Sequence, residues 1–171
     1  MPEIDGVFVF ELPHRQIDNR GEFTKILSSS ITPKLSIEEV FLSTTKKGFI
    51  RGMHFQCGRF QNNRIVSCID GKVFDVLLDL RPRSNTFQNI FSVEFNWISP
   101  QAVYIPAGVA HGFQALEDNS QMIYFSDKTY NSKYDIGVSP INCGINWPIE
   151  VQGLSERDIS LPTLNDYISR I

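Results

Sequence analysis

The sequence predicts an all-β fold, a sandwich or barrel, on three observations. Short runs rich in β-branched and aromatic residues recur along the chain, turn-forming residues punctuate them, and helical periodicity is absent before about the last twenty residues. VFLSTTKKGFI (40–50) reads as a strand that leads directly into the extended RGMHFQ (51–56), and a polar, turn-like CGRFQNN follows. IVSCIDGKVFDVLLDL (65–80) reads as two strands joined in a hairpin at Asp70-Gly71, a pair suited to a tight turn. FQNIFSVEFNWIS, AVYIPAG and QMIYFSDKTY add further strands, separated by RPRSN, SPQ, PAG and LEDNS. The tail LSERDISLPTLNDYISRI has room for a short helix near its end, limited by Pro162. No internal repeat, low-complexity tract or linker interrupts the pattern, so a single domain over residues 1–171 is expected.

Composition narrows the function. The 171 residues are 42% hydrophobic, enough for one proper core. Charged residues make up 20% with a net charge of −3, and Lys and Arg are scattered, which argues against sequence-independent nucleic-acid binding. MPEIDGVFVFEL lacks a basic start and carries acids within its apolar run, so it does not read as a signal peptide. No apolar run approaches a membrane span. Cys57, Cys68 and Cys143 are far apart and form no CxxC pair; they read as small thiols in a reducing cytoplasm rather than a disulfide framework or zinc site.

The chain has three histidines, His14, His54 and His111, with no two at metal-ligand spacing. His14, in ELPHRQ, reads as a surface side chain. Arg51 and His54 are three apart, so ideal strand alternation places them on opposite faces; a bulge at Gly52 would turn both inward. His54 is either a buried structural histidine or a functional one, and this stretch leaves both readings open. His111 follows the turn at Pro106 and Gly108, which predicts a position near the mouth of a barrel. Tyr124 occupies the next extended run, and a barrel brings such groups towards one cavity.

Together, DNRGEF (18–23), KKGFIRGMHFQ (46–56), GKVFDVLLDLRPRSNTF (71–87), IPAGVAHGF (105–113), YFSDKTY (124–130), GINWP (144–148) and LSERDISLPTL (154–164) resemble the dTDP-4-dehydrorhamnose 3,5-epimerases. Order and spacing agree over nearly the whole chain. The resemblance implies a metal-independent cupin jelly roll without cofactor, and a homodimer that exchanges N-terminal strands. It implies epimerisation of a nucleoside-diphosphate 4-keto-6-deoxy sugar, whose C4 ketone acidifies the hydrogens at C3 and C5. His54 matches the general base, Asp158 the carboxylate that orients it, and Tyr124 the proton donor on the other face. Arg51 and His111 match residues lining the sugar and diphosphate site, Arg51 with a fork suited to phosphate oxygens. Arg20 and Phe23 match residues that reach the nucleotide, in part from the partner subunit, and Tyr130 matches an aromatic near the base.

Several positions depart from the family. Arg64 stands where Lys is usual; it offers charge to an enolate oxygen but does not release a proton at ordinary pH. Lys25 replaces a Glu that contacts thymine, and Glu39 and Phe41 replace a Gln and an Asn on the base side. Lys only donates, so thymine should be penalised, whereas Glu39 suits the donor pair of guanine. The expected substrate is therefore GDP-linked, with CDP also open, and the resemblance, which extends to relatives acting on GDP-linked 6-deoxy-heptoses, leaves hexose or heptose open. The alternatives are the dTDP 3,5-epimerase itself, a C3-only epimerase, a non-catalytic sugar-nucleotide-binding cupin and a metal-dependent cupin enzyme. The presence of His54, Asp158 and Tyr124 together argues for catalysis.

Overall fold

The computed structural model describes residues 3–12, 15–28 and 35–171; His14 lies outside them. The strands are β1 (Phe8–Glu11), β2 (Arg15–Asp18), β3 (Gly21–Thr24), β4 (Glu39–Thr45), β5 (Ile50–Gln56) and β6 (Arg64–Asp70). They continue as β7 (Lys72–Asp79), β8 (Ile90–Asn96), β9 (Gln101–Ile105), β10 (Val109–Ala115), β11 (Ser120–Ser126) and β12 (Asp135–Gly137). Two five-stranded sheets, β1-β9-β6-β11-β4 and β12-β5-β10-β7-β8, pack as a jelly roll, and β2-β3 forms a small sheet of its own. The all-β expectation is met.

Hydrophobic patterning sets the layers. Between the sheets lie Val66, Val103 and Met122 from the first and Leu77, Phe95 and Phe113 from the second. The outer face of the second sheet is covered as well, with Met53, Val76 and Leu78 packed under Ile145, Trp147, Leu164 and Tyr167. On the outer face of the first, Ile65, Ala102 and Phe125 pack with Leu12, Leu27 and Leu35. Cover on both faces explains why β6 and β10 are buried along nearly their whole length rather than at alternate residues, polar side chains included.

Two expectations are corrected. Asp70-Gly71 is not a hairpin: β6 pairs with β9 and β11, whereas β7 pairs with β8 and β10. The chain turns a corner there and changes sheets, with Gly71 at φ +71 and the Ser120 hydroxyl taking both the N–H and the carbonyl of Lys72. The tail holds two short helices rather than one, α1 (Glu156–Ser160) and α2 (Leu164–Ile168), split by Pro162. Ser155 caps the first by accepting from the Asp158 amide at 3.1 Å, and Thr163 caps the second from Asp166 at 3.1 Å. Among the described residues no helix is long and apolar enough to cross a membrane.

Candidate active site

An extra residue in β5 builds the first part of the site. His54 lies opposite His111 on β10 and Arg51 opposite Phe113, so three residues of β5 span two of β10. The bulge falls at Gly52, as its odd spacing predicts, with φ +135 and a cis peptide to Met53. A Cβ there would come within 2.4 Å of Gly112 Cα, so only glycine fits this close approach. Arg51 and His54 consequently both line one cavity of about 710 Å3.

His54 is anchored from the C-terminal end of the chain. The α1 cap holds Asp158, 2% exposed, with its Oδ1 2.5 Å from His54 Nε2. Burial alone would push the Asp158 carboxyl up. The His54 contact outweighs it, helped by the Ser155 hydroxyl and the Gly52 amide, and the group stays below the ordinary carboxylate range.

Tyr124 faces this pair from the other sheet, on β11. Its hydroxyl shares a hydrogen bond with Ser43 Oγ at 3.2 Å, and its ring lies flat against Phe41, with centroids 4.5 Å apart and planes 7° apart. Burial lifts the phenol to about 12, against the opposing pull of the Ser43 hydrogen bond and the Arg51 and Arg64 charges. The Tyr124 phenol is therefore neutral around pH 7.

Arg64 enters from β6, buried. Its Nη2 donates to the carbonyls of His54 and Val109, each at 3.3 Å, and Nε has no partner among the described residues. Burial pulls its pKa down, countered by Tyr124, Asp135 and Asp75. Arg64 remains a cation and lines the same cavity as His54 and Tyr124. Arg51 sits at the rim, its Nε donating to Thr45 Oγ1 at 2.9 Å and its Nη2 to the Thr44 carbonyl at 3.1 Å.

His111 lines the same cavity from β10 and is buried there, with Nε2 2.7 Å from Asp75 Oδ2 and its ring edge-on to Tyr124 at 6.0 Å. Tyr130 and Glu39 also line the cavity, and the Glu39 carboxylate accepts the Tyr130 amide at 3.0 Å. Arg20, Phe23 and Lys25 do not line this cavity in their own chain. They are exposed on or beside the β2–β3 hairpin, where Arg20 pairs with Asp18 at 2.6 Å. His54 and His111 are each paired with a different aspartate, and among the described residues no three His, Cys, Asp or Glu side chains gather as metal ligands would.

Sequence reasoning missed Asp75, Ser43 and the cavity-lining pair Asp135–Arg157, joined at 2.7 Å. Asp75 had a signal, since an acid inside the apolar run VFDVLL needs a buried partner. Ser43 was also findable, because alternation along β4 places 39, 41 and 43 on one face. Asp135 and Arg157 read as ordinary surface charges.

Comparison with known proteins follows the same lines. The family model described as dTDP-4-dehydrorhamnose 3,5-epimerase matches residues 2–166. A dTDP-4-dehydrorhamnose 3,5-epimerase of Shigella flexneri is 32% identical over 165 residues, covering 92% of this chain and 91% of the relative. A dTDP-4-dehydrorhamnose 3-epimerase of Streptomyces niveus is 33% identical over 162 residues, covering 91% of this chain and 78% of the relative. Among solved structures, NovW, a 4-keto-6-deoxy sugar epimerase from the novobiocin gene cluster of Streptomyces spheroides, superposes with a TM-score of 0.90 at 31% identity. That alignment covers 98% of this chain and 87% of the other.

Proposed function

The chain belongs to the dTDP-4-dehydrorhamnose 3,5-epimerase family, and we propose that it inverts one or both carbons flanking the ketone of a dTDP-linked 4-keto-6-deoxy sugar. The observation that carries this reading is the placement of His54 and Tyr124 on facing sheets around one cavity. With Nε2–H donating to Asp158, Nδ1 of His54 is the basic nitrogen that removes the hydrogen beside the carbonyl. The developing imidazolium is steadied by the Asp158 carboxylate, and the enolate oxygen by the Arg64 guanidinium. Tyr124 then returns a proton to the opposite face. Arg51 at the rim suits the diphosphate, His111 the sugar, and exposed Tyr130 a stack with the base.

The guanosine expectation gives way to thymidine. The relatives are named for dTDP sugars, and the Glu39 carboxylate that was to meet guanine already accepts the Tyr130 amide. Phe41 does not stand at a base edge but lies on Tyr124, and Lys25 is exposed outside the cavity. We further propose a homodimer in which the hairpin residues Arg20 and Phe23 serve the partner's cavity; their exposure outside their own cavity supports it.

The test is proton NMR of a dTDP-4-keto-6-deoxyhexose in heavy water. The chain should exchange the hydrogen at C3, C5 or both with formation of the epimer. His54→Asn should lower exchange by at least about a thousandfold while dTDP still raises the melting temperature, and by more than GDP at equal concentration. Absence of exchange in the parent chain overturns the reading. Equal or larger stabilisation by GDP reinstates the purine.

A further inference from the structure

We propose that Phe41 is a positioning residue, one that commits each enolate to reprotonation from the Tyr124 face; this rests on the epimerase reading above.

Phe41 sits on β4 directly across from Tyr124 on β11, the two forming one cross-strand pair. Cross-strand aromatic pairs contribute beyond the area they bury. Here the pair is stacked nearly parallel, so one face of the phenol rests against an apolar ring. The second restraint comes from the same strand. Two residues on and facing the same way, Ser43 holds the phenol oxygen. A ring packed on its face and a hydroxyl tethered at its tip leave Tyr124 little rotational freedom, and with Ser43 as the donor in their shared hydrogen bond the phenol O–H is left to point into the cavity. Hydrogen-bonded neighbours alone do not do this, because Ser43 fixes the oxygen without fixing the ring plane.

The chemistry gives that restraint a consequence. Once His54 has taken the proton, the enolate is planar and can be quenched on either face. Reprotonation by Tyr124 breaks the phenol O–H, forms the C–H and leaves a phenolate, which then recovers a proton from solvent while the imidazolium loses one to solvent. The net result is inversion with no change in proton count. The competing route returns a solvent-derived proton from the imidazolium to the face it came from, and gives exchange with retention. The two routes share the enolate, so their ratio depends on how promptly the phenol is in line. Phe41 contributes to that ratio without touching the reacting carbon. Its position on the outermost strand of its sheet, 42% exposed, makes it replaceable without opening the core.

The experiment follows one carbon of the dTDP-4-keto sugar in heavy water and measures deuterium entry with retention against inversion, for the parent, Phe41→Leu, Phe41→Tyr and Ser43→Ala. In Phe41→Leu hydrogen abstraction should persist, while the ratio of retention to inversion rises at least about fivefold, as misaligned proton donors lose efficiency steeply. Phe41→Tyr, which keeps a flat ring, should hold the ratio near that of the parent, and Ser43→Ala should raise it. An unchanged ratio in Phe41→Leu, including a parallel fall of both routes, overturns the role of Phe41 alone. If the parent neither exchanges nor inverts, the epimerase reading fails and this inference falls with it.

Discussion

Asp158 is a buried carboxylate whose position is set by three independent contacts: the His54 ring, the Ser155 cap and the Gly52 amide. Each favours the charged form, which the proposed reaction requires of a group placed behind His54. Asp158→Asn preserves shape but removes the charge that stabilises the imidazolium and defines the nitrogen carrying the proton. Steady-state kinetics should show kcat lowered by about a hundredfold or more, with KM little moved. The contact of Asp158 with His54 was legible only through the resemblance of LSERD to its family, since a Ser-x-x-Asp cap is common in helices that do no chemistry. Asp75 and Asp79 announce themselves differently. Both interrupt an apolar strand, and both are found fully buried and hydrogen-bonded. Glu39 misled for a physical reason: sequence gives its acceptor capacity but not the backbone amide that has already claimed it.

At the scale of the element, β5 carries most of the design. Its bulge lets Arg51 and His54 share a cavity, and the packing of Gly52 against Gly112 lets the strand approach β10 closely. Gly52→Ala would place a methyl 2.4 Å from Gly112 Cα and 3.0 Å from the His111 carbonyl oxygen, at a φ of +135. Urea unfolding should show a loss of at least about 2 kcal/mol, and hydrogen abstraction by His54 should fall with it. The odd spacing of Arg51 and His54 foretold this bulge. The corner at Asp70-Gly71 was misread because its turn chemistry is local, whereas the sheet that the next strand joins is decided by distant partners such as Ser120.

Over the whole molecule, acid stability is set partly far from the cavity. Asp79, fully buried at the end of β7, accepts from Arg81, Ser84 and Thr86 and is held at about 2, against an ordinary value of 3.8. Burial raises it, but these donors win. A depressed carboxyl stabilises the fold fully above its unfolded pKa, and that contribution fades as pH falls through the folded one. The window is therefore about pH 4 down to 2, and the contribution is about 2 kcal/mol. Asp79→Asn should be less stable than the parent by at least that much at pH 7, with the gap narrowing towards pH 2 in urea titrations. The fold class was legible because strand-forming runs and turn residues alternate throughout, and the family resemblance supplied the jelly roll. How the outer faces were covered was not legible, since GINWP looks like a loop and the short helix expected in the tail carries no sign of the sheet it packs on.

His54 belongs to one sheet and Tyr124 to the other, and no hydrogen-bond ladder ties those two strands together. What separates the imidazole from the phenol is the thickness of the hydrocarbon filling between the layers, Val66 and Met122 against Leu77 and Phe113. Apolar bulk in this protein thus sets the gap across which the two side chains face each other. Under the proposed reaction, trimming a methyl group from that filling should slow proton transfer as well as loosen the fold.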